Sequence, residues 1–445
     1  MSPNEILGIV MLVLLIGIIF VGFPIAFTLL CLAFVFGYIG LGERVFSLAY
    51  FQIIGLMKVE ELAAVPLFVL MGFVVEQAGL MERLFTAFRL LLAPVRGALY
   101  LVVLATATVF AMATGIVGAA VTVLGIMAAP IMIKASYDAR LSAGVIAAGG
   151  TLGILIPPSV MLIVMGPVMG LSVVQLYAAA FGPGFLLAGL YILYSLGRSF
   201  LRPELGPPMP VEERASSARE ILREVVFGMV PLAALITAAL GSILAGLATP
   251  TEAAAMGALG AILLAAAYGK LTWPSLRNAV VNTMVTSSLV LFLAVASNVF
   301  GAVFARLGSA DVITHALLGL DLPPWGMIVL IMVLVFLLGW PFEWPAVILV
   351  FLPIFYPAAK QTVDALGLDM VWFATLIAVN LQTAFLSPPV AMSAYYLKQV
   401  VPQWSLMQIY GGMFEFMFLQ VIALAIIMIF PEIAMWLPHQ LFGPQ

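Results

Sequence analysis

Residues 147–165 read AAGGTLGILIPPSVMLIVM, and the reading of the whole chain turns on them. They lie inside a run, residues 141–197, that contains no charged residue, yet Gly149, Gly150, Gly153, Pro157 and Pro158 interrupt it. An apolar segment that crosses a bilayer must be helical, because lipid offers its backbone polar groups no partner. Proline removes a donor and clashes with the preceding turn, so a Pro-Pro pair ends or unwinds that helix. Broken helix at membrane depth survives only where protein buries it or where it lines a cavity. A second such stretch, NLQTAFLSPPVAMSA, occupies residues 380–394. Each has a threonine upstream of its proline pair, Thr151 and Thr383, and a small apolar run after it. Two interrupted apolar segments at matching positions of two halves point to the binding site of a secondary transporter.

Composition sets the class. The chain has 445 residues, 64% hydrophobic and 8% charged, with a mean hydropathy of +1.23. Soluble domains carry about 25% charged residues, so this is a polytopic membrane protein. Charge-free runs also cover residues 6–42, 97–133, 225–251, 278–305 and 322–342. At about 20 residues per span, ten to twelve spans are expected, with shorter re-entrant segments. The run from residue 6 follows no basic stretch and shows no cleavage pattern, and it reads as a first span. A net charge of -3 leaves no nucleic-acid footprint. The single cysteine, Cys31, reads as a small core residue, and His315 and His439 have no metal-ligand spacing. No nucleophile–base pair or phosphate loop is present, so enzymatic chemistry has little to work with.

The halves are expected at residues 1–197 and 225–445, joined over 198–224 by a Pro-rich, charged linker and an interfacial helix. Short matches recur in order: Phe68 with Phe292 at 224 residues, Pro130 with Pro353 at 223, and Pro157 with Pro388 at 231. That pattern suggests a duplicated unit with one longer loop near residues 361–368. Residues 111–122, AMATGIVGAAVT, make a poor continuous helix; they read as a re-entrant hairpin or as a span with a small-residue packing face. Their counterpart, residues 337–348, carries Glu343 between two prolines. A carboxylate in the membrane is a functional candidate, and hydrogen bonding to the amides of a broken helix is compatible with that. Glu252 is either functional or a cap for a helix beginning at Thr251, where a negative charge suits the dipole.

Where a helix unwinds, freed carbonyls can coordinate a hard cation such as sodium, and the resumed half-helix presents donors and positive dipole to an anion. Thr151, Ser159, Thr383 and Ser387 add hydroxyls, and Asn380 and Gln382 add amides. The tips at residues 115–118 and 339–343 could close each site. Two pseudo-symmetric cation sites with an organic anion between them are therefore expected. Gly118, Thr151, Gly153, Pro157, Gly339, Glu343, Asn380, Thr383 and Pro388 are the candidate sodium ligands. Thr114, Gly115, Ser159, Glu343 and Gln382 are the candidate substrate contacts. With no nucleotide motif, energy is expected from an ion gradient.

The motifs YDARLSAGVIAAGGTLGILIPPS (137–159), GLATPTEAAAMG (246–257) and AVNLQTAFLSPPV (378–390) resemble those of the large membrane subunit of tripartite ATP-independent periplasmic (TRAP) transporters, over nearly the whole chain. The resemblance implies an all-α inner-membrane protein with two inverted repeats, each holding a helical hairpin, and a scaffold with a mobile, elevator-type domain. It implies sodium-coupled import of a small organic acid, with no organic cofactor. The implied partners are a small four-helix membrane subunit and a soluble periplasmic substrate-binding protein. The tip Thr114-Gly115-Ile116-Val117-Gly118 replaces the serine-rich tip of many members, and Glu343 stands where many have aspartate. The TGIVGA and NLQT forms look more like the branch associated with 2-oxo acids and related monocarboxylates. The competing reading is an autonomous ion-coupled dicarboxylate or citrate carrier that needs no partner.

Overall fold

The computed structural model describes residues 1–93, 95–208, 218–388 and 391–443, without the side chains of Thr114 and Ala218. Among the described residues the chain is helical, with no strand. In the first half the helices are α1 Pro3–Phe20, α2 Ile25–Leu41, α3 Arg44–Met57, α4 Ala64–Gln77, α5 Leu80–Leu92, α6 Ala98–Thr114, α7 Val117–Lys134, α8 Ala139–Thr151, α9 Val160–Met169 and α10 Val173–Leu201. The second half holds α11 Ala218–Gly228, α12 Val230–Leu244, α13 Pro250–Ala267, α14 Trp273–Arg306, α15 Ser309–Leu318, α16 Pro324–Leu338, α17 Trp344–Ala365, α18 Met370–Leu381, α19 Met392–Val400, α20 Leu406–Ile429 and α21 Glu432–Phe442.

Among the described residues eight helices are long and apolar enough to cross a membrane, or nine when the segment Glu60–Gln77 and α5, bent by 62° at their junction, count as one span. This is fewer than the ten to twelve expected. The difference lies in the breaks and hairpins, which divide long apolar runs into helices of 10–17 residues. The expected linker also shifts. Helix α10 continues to Leu201, residues 209–217 lie outside the described part, and α11 begins at Ala218. Cys31 is exposed on the outer face of α2 instead of packed in the core. Large apolar side chains such as Phe27, Phe51, Met284 and Phe418 are exposed as well, as a lipid-facing surface requires.

Helix starts follow local chemistry. Thr249 and Glu252 form a reciprocal capping box on α13, with the Thr249 amide donating to Glu252 Oε2 at 2.9 Å. Glu252 is thus a cap, and the helix begins at Pro250, one residue before the expected start. Asp138 caps α8, accepting from the Leu141 amide at 2.7 Å, and Asp369 caps α18, accepting from the Val371 amide at 2.7 Å. These two caps stand at the same spacing of 231 residues as Pro157 and Pro388.

The repeat organisation is visible in the packing. Helix α2 lies against α14, and α13 lies against α4. Helices α6 and α7 form a hairpin that straddles α8. Gly149 on α8 faces Ala107 on α6, while Gly150 faces Val121 on α7. Gly115, at φ +60°, ends α6 in the left-handed conformation and starts the turn. In the second half α16 runs beside α18: Trp325 packs edge-on against Trp372 at 6.0 Å, and Asn380 Nδ2 donates to the Met332 carbonyl at 2.7 Å.

Helices α8 and α20 run parallel, with Gly144 on Phe416 and Gly412 on Arg140. Helices α18 and α20 run antiparallel, since Trp372 Nε1 near the start of α18 reaches the Ile427 carbonyl near the end of α20 at 3.1 Å. Helix α18 therefore opposes α8, and the two repeats are inverted. The α8–α20 contact is backbone on backbone: a Cβ on Gly412 would lie 2.0 Å from the Arg140 carbonyl oxygen. Small residues let membrane helices approach this closely, and the resulting van der Waals contact holds them together. At one end of these helices Glu415 on α20 pairs with Arg140 at 2.8 Å and with Arg198 at 3.3 Å, and accepts from Tyr194 at 2.7 Å.

Candidate functional site

The first break begins where α8 ends. Residues 152–154 form a 3-10 turn, the chain then passes through a cis Pro157–Pro158 bond, and α9 resumes at Val160. The Leu155 and Ile156 amides both donate to the Leu152 carbonyl, at 3.1 and 2.9 Å. Ser159 closes the break: its hydroxyl donates to the Ile154 carbonyl and accepts from the Leu162 amide at 3.4 Å. Among the described residues no backbone donor reaches the carbonyls of Gly153 or Pro158. Both face the hairpin tip, because a Cβ on Gly115 would sit 3.2 Å from the Pro158 oxygen and 3.7 Å from the Gly153 oxygen. An unpaired buried carbonyl costs about 1–3 kcal/mol, and hard cations are bound by such oxygens.

The second break repeats the plan. Residues 382–385 form a 3-10 turn, and the Leu386 and Ser387 amides donate to the Thr383 carbonyl at 3.0 and 2.9 Å. Gly339 at the second hairpin tip packs against it, since a Cβ there would lie 3.1 Å from Ala384 Cβ. Pro388 is exposed at the turn, Pro389 lies outside the described residues, and α19 resumes at Met392. Each hairpin thus rests its tip on the break of its own repeat.

The predicted residues are sorted by this geometry. Gly115, Gly153 and Gly339 sit at tip–break contacts, Pro157 lies within the first break, and all four are buried. Thr114 ends α6, with its side chain outside the described part. Glu343 is half-buried at the start of α17. It is the main-chain carbonyl of Glu343 that accepts from Ala346 and Val347, at 3.1 and 3.2 Å; the side chain makes no cap bond. The expectation of a carboxylate satisfied by amides of the broken helix is therefore corrected, because Pro345 has no N–H to offer and the Ala346 and Val347 amides are taken by the Glu343 carbonyl. Four of the expected polar residues also turn inward. Ser159 spends its hydroxyl across the break. Thr383 donates to the Asn380 carbonyl at 2.7 Å. Thr151 and Gln382 face one another in the interior at 3.2 Å, not a tip.

Sequence reasoning missed Tyr396 on α19. Its ring lies against Gly118, where a Cβ would come within 3.0 Å of Cζ, and its hydroxyl is within electrostatic range of the Glu343 carboxyl. One aromatic side chain therefore stands between the two hairpins. A cavity of about 330 Å³ opens between α3 and α14 on one side and α9 and α17 on the other, with Gln52, Asn298, Pro167 and Pro353 in its wall. Val59 and Pro167 also line a neighbouring opening of about 390 Å³ that reaches Lys58, Glu60 and Glu61. A cavity of about 590 Å³ beside Glu76, Glu82, Arg83 and Lys270 lies apart from both breaks.

Residues 10–433 match the family described as the DctM component of the tripartite ATP-independent periplasmic transporter. The C4-dicarboxylate TRAP transporter large permease protein of Rhodobacter capsulatus is 26% identical, covering 96% of this chain and 98% of that protein. The sialic acid TRAP transporter large permease protein of Vibrio cholerae is 29% identical over 96% and 97%, and the ectoine permease of Halomonas elongata is 26% identical over 96% and 98%. In fold the chain is similar to the Alcanivorax borkumensis YdaH transporter, at a TM-score of 0.61 and 15% identity with full coverage of both chains. The chain belongs to the DctM family of TRAP transporters: it is the large permease, a multi-pass protein of the inner membrane and not an enzyme, which works with a substrate-binding protein and a small permease subunit.

Proposed function

We propose that this permease imports a small organic acid anion by sodium coupling, taking it from a periplasmic binding protein. The observation that carries the reading is the antiparallel pair of broken helices, each touched by its own hairpin tip. The first break offers the oxygens of Gly153 and Pro158 to a cation beside Gly115, and the second offers its turn beside Gly339. Neutral oxygens without donors suit a hard monovalent cation better than a transition metal. The substrate would lie between the tips, near Tyr396 and Glu343, with the start of α19 contributing a positive dipole end. The substrate class we favour is a 2-oxo acid or related monocarboxylate, on the form of the tip and break motifs. Helices α6 to α10 and α16 to α20 would then move as an elevator against a scaffold built on α2, α4, α13 and α14, with a four-helix small subunit beside it.

A sodium gradient has enough energy for this. Each tenfold ratio is worth about 1.4 kcal/mol per ion, so two ions can support roughly 100-fold accumulation before any membrane potential is added. The test is uptake of labelled organic acids into proteoliposomes with an imposed inward sodium gradient, with and without the two partners. Uptake that needs both partners and sodium is the expected result. Uptake by the chain alone would favour an autonomous carrier, and partner-dependent uptake indifferent to sodium would remove the cation sites.

A further inference from the structure

Four polar side chains meet where the two repeats face each other, and none has any solvent exposure: Thr151, Gln382, Gln420 and Tyr191. Thr151 is the last residue of α8 before the first 3-10 turn, and Gln382 opens the second 3-10 turn. They are related by the same 231 residues as Pro157 and Pro388. Tyr191 and Gln420 come from α10 and α20, the second helix after the break in each repeat. Each repeat therefore supplies one residue at its break and one on its closing helix, as a centre on the pseudo-twofold axis requires.

The bonding at this centre is incomplete. The Thr151 hydroxyl has one proton and two acceptors in reach, the Ala148 carbonyl at 2.8 Å and Gln382 Oε1 at 3.2 Å. It accepts from Gln420 Nε2 at 3.4 Å. Gln382 Nε2 and Gln420 Oε1 are buried without a partner, and the Tyr191 hydroxyl lies against Gln420 and Thr151. The Thr151–Gln382 contact ties the residue before one turn to the first residue of the other, so a shift of either turn is passed to its counterpart. Those turns carry the Gly153 carbonyl at one break and the Ala384 contact with Gly339 at the other.

We infer that Thr151, Gln382 and Gln420 form a hub that couples the two breaks, so that filling one cation site sets the geometry of the other. The inference rests on the sodium reading above. Thr151 and Gln382 act as positioning residues here: their hydrogen bonds stay in the interior while the oxygens that meet the ion belong to the turns they begin. Coupling between sites is reciprocal and appears as cooperativity in binding.

The experiment is the sodium dependence of uptake by the full transporter in proteoliposomes, fitted for a Hill coefficient, in wild type and in Thr151→Val, Gln382→Leu, Gln420→Leu and Thr151→Ser. The wild type should approach a coefficient of ~2, the number of coupled sites. The three apolar variants should fall toward ~1 with an increased half-saturating sodium concentration, and Thr151→Ser, which keeps the hydroxyl, should stay cooperative. A purely structural role would lower yield and melting temperature without changing the coefficient. If Thr151→Val fails to fold, Gln420→Leu carries the same test from a different helix. A wild-type coefficient of one, or cooperative apolar variants, overturns the hub and leaves sodium coupling standing. Wild-type uptake indifferent to sodium overturns the functional reading and the hub with it.

Discussion

Gly115→Ala tests the tip–break contact most directly. Gly115 holds φ +60°, which costs a residue with a Cβ roughly 1–2 kcal/mol. The new methyl would also lie 3.2 Å from the Pro158 oxygen and 3.7 Å from the Gly153 oxygen. The hairpin can relieve both only by lifting off the break, which separates the tip from the carbonyls. If that cost falls on the cation-bound state, 1–2 kcal/mol corresponds to an increase in half-saturating sodium of about 5- to 30-fold. Gly269→Ala is the control. Gly269 has φ +65° and nothing within 4 Å of its Cβ position, so it carries the same backbone strain far from either break. The assay is sodium-driven uptake in proteoliposomes beside a melting curve of each purified variant. The expected result is similar loss of thermal stability in both, with a changed sodium dependence only in Gly115→Ala. Equal sodium dependence in both variants would refute the argument that the first tip closes a cation site.

Three further outcomes follow from the geometry. Glu343→Gln should reduce sodium-driven uptake at normal expression and assembly with the partners; wild-type uptake with unaltered sodium dependence would exclude Glu343 from coupling. Gly412→Ala should lower the melting temperature, because its Cβ would meet the Arg140 carbonyl at 2.0 Å and overpacking costs about 1–3 kcal/mol; an unchanged melting curve in detergent would contradict the α8–α20 contact. Thr249→Ala should lose about 0.5–2 kcal/mol of stability through its cap while sodium dependence stays at the wild-type value; a shifted sodium dependence would give the Thr249–Glu252 pair a role beyond capping.

The breaks at Pro157–Pro158 and Pro388 were legible in the chain because proline and glycine act locally: the missing donor or the positive φ belongs to the residue itself. The same locality made Glu252 readable as a cap, since its partner Thr249 lies three residues away. Membrane placement followed from composition, which needs no neighbour in space. The inverted order of the repeats was legible only as a resemblance; the structure carries it in contacts such as Trp372 with Ile427.

Other features depended on partners far along the chain. Whether the Ser159 hydroxyl would face a ligand or close its own break depended on where the Ile154 carbonyl ended up after the 3-10 turn. Tyr396 carried no signal, because a lone aromatic residue on a short helix reads as packing until Gly118 is brought beneath it. Thr151 and Gln382 were both recognisable as polar residues next to a break, but their contact joins residues 231 apart. Sequence by itself determined where the helices must break and that the protein lives in a membrane. Only the tertiary structure decided which polar groups face the tips and which face each other, because a side chain's direction at an unwound turn is set by the helices packed around it and not by its neighbours in the chain.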